Sequence, residues 1–169
     1  MNIKGDKIDL ESIDFEHTNL IVKWRNNENV RKNFIFQDDM TEEMHVSWMN
    51  NKVLKNEVIQ FIIVDKQTNL PVGSTFLKDI SSFKAEFGIF IGDDNARGKG
   101  FGTEAAKLIC EYAFSELKLH KIYLRVLAKN EAAIRSYEKV GFEKEAYLVD
   151  EEEINGKFVD VVFMAKINR

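Results

Sequence analysis

A mixed α/β fold is predicted by three observations on this 169-residue sequence. Segments of β-branched and aromatic residues alternate along the chain with segments whose apolar residues recur at helical spacing. Hairpin signals stand near both ends of this series, and no Pro/Ser-rich linker, repeat or low-complexity tract divides it. The chain is long enough to bury a sizeable core around a sheet. We therefore expect one domain, residues 1–169, in which a mixed sheet carries helices on both faces.

The first half of the chain predicts an edge strand, helices and a hairpin, in that order. Residues 7–13 alternate in character and predict the edge strand, while apolar residues at near-helical spacing in 15–33 predict one or two helices. Thr41 is placed as the N-cap of the next helix by the glutamates that follow it. Residues 57–80 contain two β-branched runs around a turn at 66–71, which predicts a hairpin.

The second half predicts two helices between strands, followed by a second hairpin. Residues 83–92 are rich in β-branched and aromatic side chains and predict a strand. A glycine-rich loop then leads into a helix at about 103–117. Residues 121–130 predict another strand, and 131–142 predict a helix that a glycine C-cap ends. Asn155-Gly156 is a strong hairpin signal between the last two strands.

Composition and charge exclude several classes of function. A formal net charge of −4 and a pI near 5.5 argue against nucleic-acid binding, which needs a basic face. The single cysteine, Cys110, excludes an internal disulfide, and no Cys/His cluster has zinc-ligand spacing. No leader-like or membrane-spanning apolar segment is present. We expect a cytoplasmic protein that binds no metal, no membrane and no nucleic acid.

The loop "NARGKGFGTEAAKL" places Gly98, Gly100 and Gly102 between a predicted strand and a predicted helix. Without bulky side chains, backbone N–H groups can approach an anion, and the helix N-terminus adds a favourable dipole. A P-loop would need Ser or Thr after Lys99, and a dinucleotide-binding fingerprint would need G-x-G-x-x-G. Neither pattern is present, so the loop predicts a different pyrophosphate cradle.

Two motifs resemble the GNAT superfamily of acyl-CoA N-acyltransferases. Arg97-x-x-Gly100-x-Gly102 is similar to the family's pyrophosphate loop, Gln/Arg-x-x-Gly-x-Gly/Ala. Residues 130–142, "NEAAIRSYEKVGF", are similar to its N-x-x-A-x-x-x-Y-x-K-x-G-F segment. The early "KWRNNENVRK" and the late "INGKFVDVVFM" resemble the RimJ/RimL-like branch, which includes spermidine and amino-sugar acetyltransferases. The resemblance extends over nearly the whole chain. It implies a mostly antiparallel sheet of six to seven strands that splays in the middle, and it makes a homodimer possible.

The resemblance also implies acetyl-CoA as the cosubstrate. The backbone from Gly98 to Thr103 would bind the pyrophosphate, with the side chains of Arg97 and Lys99 adding charge at the rim. The pantetheine arm would insert as a pseudo-strand near Phe90, Ile91 and Gly92. Asn130 would cap its helix and contact the same arm. The residues expected to bind the cosubstrate are Phe90, Ile91, Arg97, Gly98, Lys99, Gly100, Gly102, Thr103 and Asn130.

Two residues are candidates for proton transfer. A primary alkylamine with a pKa of about 10.4 must lose a proton before it can attack a thioester. Glu86, on the strand expected to border the acceptor, is the first candidate base, directly or through water; the alternative is a salt-bridged strand carboxylate. Tyr137 stands where the family has its general acid, which would protonate the departing thiolate; the alternative is a core tyrosine. Cys110 is expected to pack as an apolar residue, because direct attack in a ternary complex needs no nucleophile from the protein.

Three classes of amine acceptor are open. Trp24, Arg25, Asn26 and Arg31 form a polar and aromatic set that suits an anionic, nucleotide-linked amino sugar. The acidic residues Glu42, Glu43, Glu86 and 150–153 could instead hold a polyamine, although solvated helix and loop charges explain most of them. The amino group of a basic protein N-terminus is the third possibility.

The remaining candidates are the histidines and a function without catalysis. His17, His45 and His120 lack metal-ligand spacing, and only His45 lies in the segment expected to border the acceptor. A catalytically silent acyl-CoA-binding module on the same fold is the alternative to an enzyme. The presence of Tyr137 and Glu86 favours the enzyme, because a binding module needs only the glycine loop.

Overall fold

A sheet of eight strands runs through the whole molecule in the computed structural model, which describes residues 1–169. The strands are β1 (Asn2–Lys4), β2 (Ile8–Ser12), β3 (Ile59–Asp65), β4 (Leu70–Lys78), β5 (Lys84–Ile91), β6 (Lys121–Leu127), β7 (Glu143–Ile154) and β8 (Lys157–Ile167). They lie in the order β1-β2-β3-β4-β5-β6-β8-β7. Only β5 and β6 are parallel neighbours. The mixed, mostly antiparallel sheet is confirmed; it has one strand more than expected because β1 pairs outside β2, so β2 is not the edge.

Five α-helices lie between the strands. They are α1 (Thr18–Asn26), α2 (Glu28–Arg31), α3 (Glu42–Trp48), α4 (Phe101–Ser115) and α5 (Glu131–Val140). The predicted caps are confirmed: Thr41 accepts a hydrogen bond from the Met44 backbone, and Gly141 ends α5 at φ 109°. None of the helices is both long and apolar enough to cross a membrane.

Helices cover both faces of the sheet, as predicted. Side chains alternate between the faces of a strand, and β3 shows this directly. Phe61 and Ile63 belong to the larger core, which contains the buried faces of α4 and α5. Ile62 and Val64 belong to the smaller core beneath α1 and α2. The sheet therefore separates two helical layers.

The last two strands form the predicted hairpin. Asn155 and Gly156 both have positive φ, 52° and 77°, as a two-residue type I′ turn requires. The acidic run at 150–153 lies inside β7, where the register with β8 shifts, and not at the hairpin tip.

The middle of the sheet is open. β5 and β6 pair at only three positions, Lys84 with Lys121, Ala85 with Ile122 and Glu86 with Tyr123. Beyond Glu86 the two strands separate, while β5 stays paired with β4 as far as Ile91. This confirms the predicted splay and leaves one edge of β5 free.

Candidate active site

A cleft of about 600 Å³ opens where β5 and β6 separate. α1, α3 and the segment between α2 and α3 line it on one face of the sheet, and α5 lines it on the other. Glu86 and Tyr137 both belong to its wall. Two predicted site residues far apart in sequence therefore meet at one opening in the sheet.

The two walls of the cleft belong to different faces of the sheet. On one side the Phe90 ring makes edge contacts with Trp24 and Phe34, at centroid distances of 6.2 and 5.5 Å. Because side chains alternate, Glu86 shares this face with Phe90. On the other side the Phe87 ring contacts Tyr137 of α5 at 5.9 Å. The cleft thus joins the α1–α3 side to the α5 side.

The free edge of β5 offers backbone hydrogen-bonding groups to the opening. Phe83 accepts two backbone hydrogen bonds from the chain entering β6, and Gly92 donates one towards β4. Since successive residues of a strand point their N–H and C=O groups to opposite neighbours, odd-numbered residues face β6. Beyond the paired region these residues are Phe87, Ile89 and Ile91.

The predicted pantetheine contacts are therefore shifted along the strand. The backbone of Phe90 faces β4, so Phe90 is not part of the free edge, and its side chain belongs to the smaller core. The Ile91 carbonyl faces the opening, but it accepts a hydrogen bond of 2.8 Å from Arg97 Nη2. The carbonyl of Phe87 and both backbone groups of Ile89 are the unpaired groups nearest to the positions that the sequence assigned to Phe90 and Ile91.

The glycine loop has the geometry of an anion cradle. Gly98 and Gly100 have positive φ of 78° and 81°, a region that favours glycine. Gly100 is the N-cap of α4 and provides no side-chain cap, so the first N–H groups of the helix remain available. A Cβ at Gly98 would meet nothing within 4 Å, and one at Gly102 would make only ordinary contact with Ile91. This open helix start suits a pyrophosphate.

Arg97 fastens the loop to the end of β5. Its Nη1 donates to the Asp94 carboxylate, and its Nη2 donates to the Ile91 carbonyl. Hydrogen bonds from Arg97 and from Asn27 and Asn29 hold the pKa of Asp94 below its usual value. The guanidinium is therefore engaged within the protein and is not a free charge at the rim.

Two further contacts fix the start of α4. The Thr103 hydroxyl lies 2.9 Å from the Ser136 hydroxyl and links α4 to α5. Lys7 Nζ lies 3.4 Å from the Lys99 carbonyl oxygen, while the Lys99 side chain is exposed. Lys7 brings a second cation to the loop from a distant part of the chain, which no local signal indicated.

Tyr137 has the properties of a proton donor. Burial raises the pKa of Tyr137 to about 12, so the phenol keeps its proton at neutral pH. Its ring packs against Phe87 and Phe142, at 5.9 and 6.0 Å. No hydrogen bond within the protein engages the hydroxyl, which remains available to a ligand in the cleft.

Glu86 links three neighbouring strands. It is 5% exposed, and its Oε1 accepts a hydrogen bond of 2.8 Å from Arg125 Nε of β6. Its Oε2 lies 3.1 Å from Lys78 Nζ of β4 but has no well-oriented hydrogen bond. Hydrogen bonding to Glu86 is the largest cause that raises the pKa of Arg125. Glu86 is thus a salt-bridged strand carboxylate that also lines the cleft.

Three of the four predicted acceptor residues lie elsewhere. Trp24 is 4% exposed and packs so closely on Gly92 that a Cβ there would lie 2.1 Å from the indole. The Asn26 amide bonds both backbone groups of Met40, at 2.7 and 2.8 Å. Arg31 donates to Asn26 and to Asp39. Trp24 is a core residue, whereas Asn26 and Arg31 hold the segment before α3 against α1, and none of the three lines the cleft.

Arg25 is the predicted acceptor residue that does line the cleft. Its guanidinium carbon lies 3.9 Å from the centroid of the Phe34 ring. It forms no ion pair within the protein, and burial lowers the pKa of Arg25 to about 10.

His45, from α3, lies on the same wall. It is 3% exposed, and its Nδ1 lies 2.9 Å from the Thr18 hydroxyl. Its Nε2 is buried without a partner. Burial, followed by the charges of His17 and Arg25, lowers the pKa of His45, so the ring is neutral at pH 7.

Comparison with known proteins identifies the family. Residues 7–143 match the family model described as an acetyltransferase (GNAT) domain. The chain is 38% identical over 125 residues to a spermidine N(1)-acetyltransferase of Vibrio cholerae, covering 73% of this chain and 69% of that protein. The chain belongs to the GNAT acetyltransferase family. It is an enzyme of the N-acetyltransferase class.

Solved GNAT structures show the same fold over nearly the whole chain. The crystal structure of spermidine N-acetyltransferase from Vibrio cholerae, in complex with CoA and spermine, gives a TM-score of 0.89. It is 29% identical and covers 96% of each chain. A GNAT acetyltransferase from Bacillus anthracis gives a TM-score of 0.85 at 23% identity, covering 99% of this chain and 98% of that one. The neighbour from Vibrio cholerae has also been seen as a dodecamer.

Several cleft residues of this GNAT enzyme were not anticipated from its sequence. Trp48 and Phe76 make an edge contact at 6.5 Å, and Trp48 Nε1 donates to Gln60 at 2.9 Å. Lys78 of β4 and Arg125 of β6 lie on the two strands that flank β5 in the folded sheet. Alternation along each strand could have shown which of their side chains share a face, but not that the faces meet at one opening.

The other candidates lie outside the cleft of the GNAT domain. Glu42 and Glu43 are exposed in the first turn of α3, and the run at 150–153 lies on β7, so none of them lines the cleft. Cys110 is fully buried, as expected, and burial raises its pKa to about 12. No group of three metal-ligating side chains is close enough to hold a metal ion.

The capping role of Asn130 is confirmed. Its side chain accepts a hydrogen bond of 3.3 Å from the backbone of Ala133 in the first turn of α5. Asn130 also lines the cleft. Its contact with the CoA arm stays a prediction.

Proposed function

We propose that this enzyme transfers the acetyl group of acetyl-CoA to a primary amine by direct attack within a ternary complex. One observation carries the proposal: a single cleft passes through the opening between β5 and β6 and has Tyr137 on one side and Glu86 on the other. A nucleophile and a thioester that enter from opposite faces of the sheet would meet at this opening.

The start of α4 and the free edge of β5 would together bind acetyl-CoA. The N–H groups at the start of α4, with Gly98, Gly100 and Gly102, would bind the pyrophosphate. The free backbone groups of Phe87 and Ile89 would pair with the amides of the pantetheine arm, as a neighbouring strand would. Acetyl-CoA supplies the activated acyl group as a thioester.

Glu86 is proposed as the group that accepts a proton from the ammonium of the acceptor, directly or through water. Its Oε2 is the oxygen without a well-oriented partner. The cations Lys78 and Arg125 beside it would lower the pKa of an amine bound there, because like charge disfavours the protonated form. Both effects favour the neutral amine that attack requires.

Tyr137 is proposed as the donor to the sulfur that leaves. As the C–N bond forms, the C–S bond breaks, and negative charge grows on sulfur. The departing thiolate, whose thiol has a pKa of about 8.5, is a weaker base than the phenolate of Tyr137, whose phenol has a pKa of about 12, so Tyr137 stabilises the charge first by a hydrogen bond. The ammonium loses two protons overall; the sulfur gains one, and the other reaches solvent through Glu86.

Acceptor-dependent release of free thiol from acetyl-CoA tests the proposal. The panel contains one amine of each class left open by the sequence: a UDP-linked amino sugar, spermidine and an N-terminal peptide. CoA binding is measured in parallel by calorimetry. Thiol release that depends on one of the amines supports the proposed transfer. CoA binding without release for any amine would contradict it and favour the silent binding module.

A further inference from the structure

The acceptor side of the cleft is positively charged, although the chain has a formal net charge of −4. The charged residues that line the cleft are Arg25, Lys78, Glu86, Arg97 and Arg125. The only carboxylate among them, Glu86, is already shared by Lys78 and Arg125. No acidic side chain in the cleft is left to neutralise Arg25.

Arg25 is held in place without a partner for its charge. Its guanidinium carbon lies 3.9 Å from the centroid of the Phe34 ring, a cation–π contact that holds the group without using its N–H donors. Neither an ion pair nor a hydrogen bond within the protein engages those donors. A half-buried charge in this state is costly unless a ligand of opposite charge completes it.

His45 supplies a second, independent observation on the same wall. The ring is almost fully buried, and Thr18 fixes its orientation through Nδ1. The Nε2 atom is buried without a partner, in a side chain that lines the cleft. The positive charge of Arg25 is the third cause that lowers the pKa of His45, after burial and the charge of His17. A buried nitrogen left unpaired in this way indicates a polar ligand.

We infer that Arg25 and His45 form a subsite for an anionic oxygen group, so that the amine this enzyme acetylates carries a phosphate or a carboxylate. The inference rests on the proposed function, because it assigns the acceptor end of the same cleft. A guanidinium binds two oxygens of such a group at once, and Nε2 can donate to another oxygen. A polyamine has only positive charges and finds no unpaired carboxylate in this cleft.

The aromatic side chains around this subsite suit an acceptor that also contains a ring. Phe34 lies beneath Arg25, and Trp48 and Phe76 stand in edge contact on the same face of the sheet. Phe36 lines the cleft and is 47% exposed. A sugar or base attached to the anionic group would find apolar contact there.

Binding of simple anions to the CoA-saturated enzyme tests the subsite without requiring turnover. CoA fills the pyrophosphate cradle, so UDP as a phosphate probe and succinate as a carboxylate probe report on the remaining anion site. We expect at least one of them to bind, and Arg25→Met to weaken it about tenfold or more. Arg135→Met, which removes an exposed arginine of α5 outside the cleft, is the matched control and should leave binding unchanged. Absence of binding by both probes, or equal affinity in wild type and Arg25→Met, would overturn the inference.

Two substitutions of His45 distinguish the role of Nδ1 from the role of Nε2. The amide of Asn reaches about as far as Nδ1, so His45→Asn can keep the bond to Thr18 while losing the group at Nε2. The amide of Gln reaches about as far as Nε2. We expect His45→Asn to weaken binding of the anion by about tenfold and His45→Gln to restore most of it. Equal losses in both variants would mean that Nε2 does not bind the anion.

Turnover distinguishes failure of this inference from failure of the proposed function. The acceptors are glucosamine 6-phosphate, glucosamine, a UDP-linked amino sugar and spermidine, compared by kcat/KM. Preference for the phosphate-bearing amines, lost through KM in Arg25→Met, supports the subsite. Preference for spermidine would overturn the subsite and leave the acetyltransferase proposal standing. Anion binding without thiol release from any acceptor would overturn the proposed function and leave the subsite standing.

Discussion

Trp24 and Arg25 are adjacent in sequence, but Trp24 is buried in the smaller core and Arg25 lines the cleft. A helix turns by about 100° per residue, so neighbouring side chains point in different directions. Trp24 points into the smaller core against Gly92, and Arg25 points into the cleft over Phe34. The sequence pointed to a segment of α1 from which one residue, Arg25, lines the cleft. Packing sets the rotation of the helix about its axis, and this rotation decides which residue of the pair faces the cleft.

Replacement of Tyr137 by Phe should slow turnover and preserve the fold. The substitution removes a hydroxyl that makes no hydrogen bond within the protein and keeps the ring that packs against Phe87 and Phe142. We expect kcat to fall by about 10²-fold or more, as is typical for loss of a general acid, with CoA affinity and thermal midpoint near those of wild type. Tyr112→Phe on α4, outside the cleft, is the control and should leave kcat unchanged. Equal kcat in Tyr137→Phe and wild type would remove the acid assignment.

Replacement of Glu86 by Gln should give a loss of activity that depends on pH. If Glu86 takes the proton of the acceptor, kcat/KM should fall by about 10²-fold near pH 7. The deficit should narrow towards the pKa of the free amine, near 10, because more acceptor is then already neutral. Glu145→Gln removes a carboxylate from an exposed pair with Lys121 and controls for the loss of charge. A deficit that is constant from pH 7 to 10 would mean that Glu86 only holds Lys78 and Arg125 in place.

At the scale of elements, the sequence predicts helix caps and turns, because each depends on residues within a few positions of one another. Thr41 caps a helix through a residue three positions away, and Asn155-Gly156 sets a turn through its own backbone angles. The Glu86–Arg125 bond joins residues 39 positions apart on β5 and β6, two strands that α4 separates along the chain. No periodicity encodes such a contact, because it depends on which strands become neighbours and where they separate. The elements were therefore predictable, whereas the acceptor wall was not.

Gly100→Ala should damage the start of α4 both as a structure and as a binding site. Gly100 has a φ of 81°, which costs an alanine about 1–2 kcal/mol. We expect the free energy of unfolding in urea to fall by about that amount, and CoA affinity to fall because the N–H groups of the loop would turn away. Gly102→Ala is the comparison, since its Cβ would lie 3.8 Å from Ile91 at an ordinary backbone angle. Similar losses in both variants would show that the positive φ is not the cause.

At the scale of the whole molecule, the sheet divides two helical layers and the cleft reconnects them. α4 and α5 carry the proposed cosubstrate groups, while α1 and α3 carry Arg25 and His45. Because β5 and β6 pair over only three positions, the opening has no ladder of hydrogen bonds across it. Ligands that bridge the opening would supply contacts between the layers that the protein itself lacks.

The stability of the whole chain should depend on pH through His45. Burial, with the charges of His17 and Arg25, holds the pKa of His45 below its value of about 6.5 in the unfolded chain. Around and below pH 6.5 the unfolded state therefore binds more protons than the native state, so the free energy of unfolding falls as the pH falls. The fall ends where native His45 is itself protonated, and above about pH 7 this group contributes no pH dependence.

His45→Gln removes the titrating imidazole, so the free energy of unfolding of the variant should depend less on pH. Urea unfolding at several pH values between about 5 and 8 should give a smaller acid-side slope for the variant than for wild type. The lowered pKa values of Asp94 and Asp160 act at more acidic pH, from around the usual carboxyl pKa of 3.8 downwards, and lie outside this range. An anion bound beside Arg25 would offset its charge and raise the pKa of His45, so UDP should flatten the slope of wild type but leave that of the variant unchanged. Identical slopes for wild type and variant without ligand would contradict the linkage.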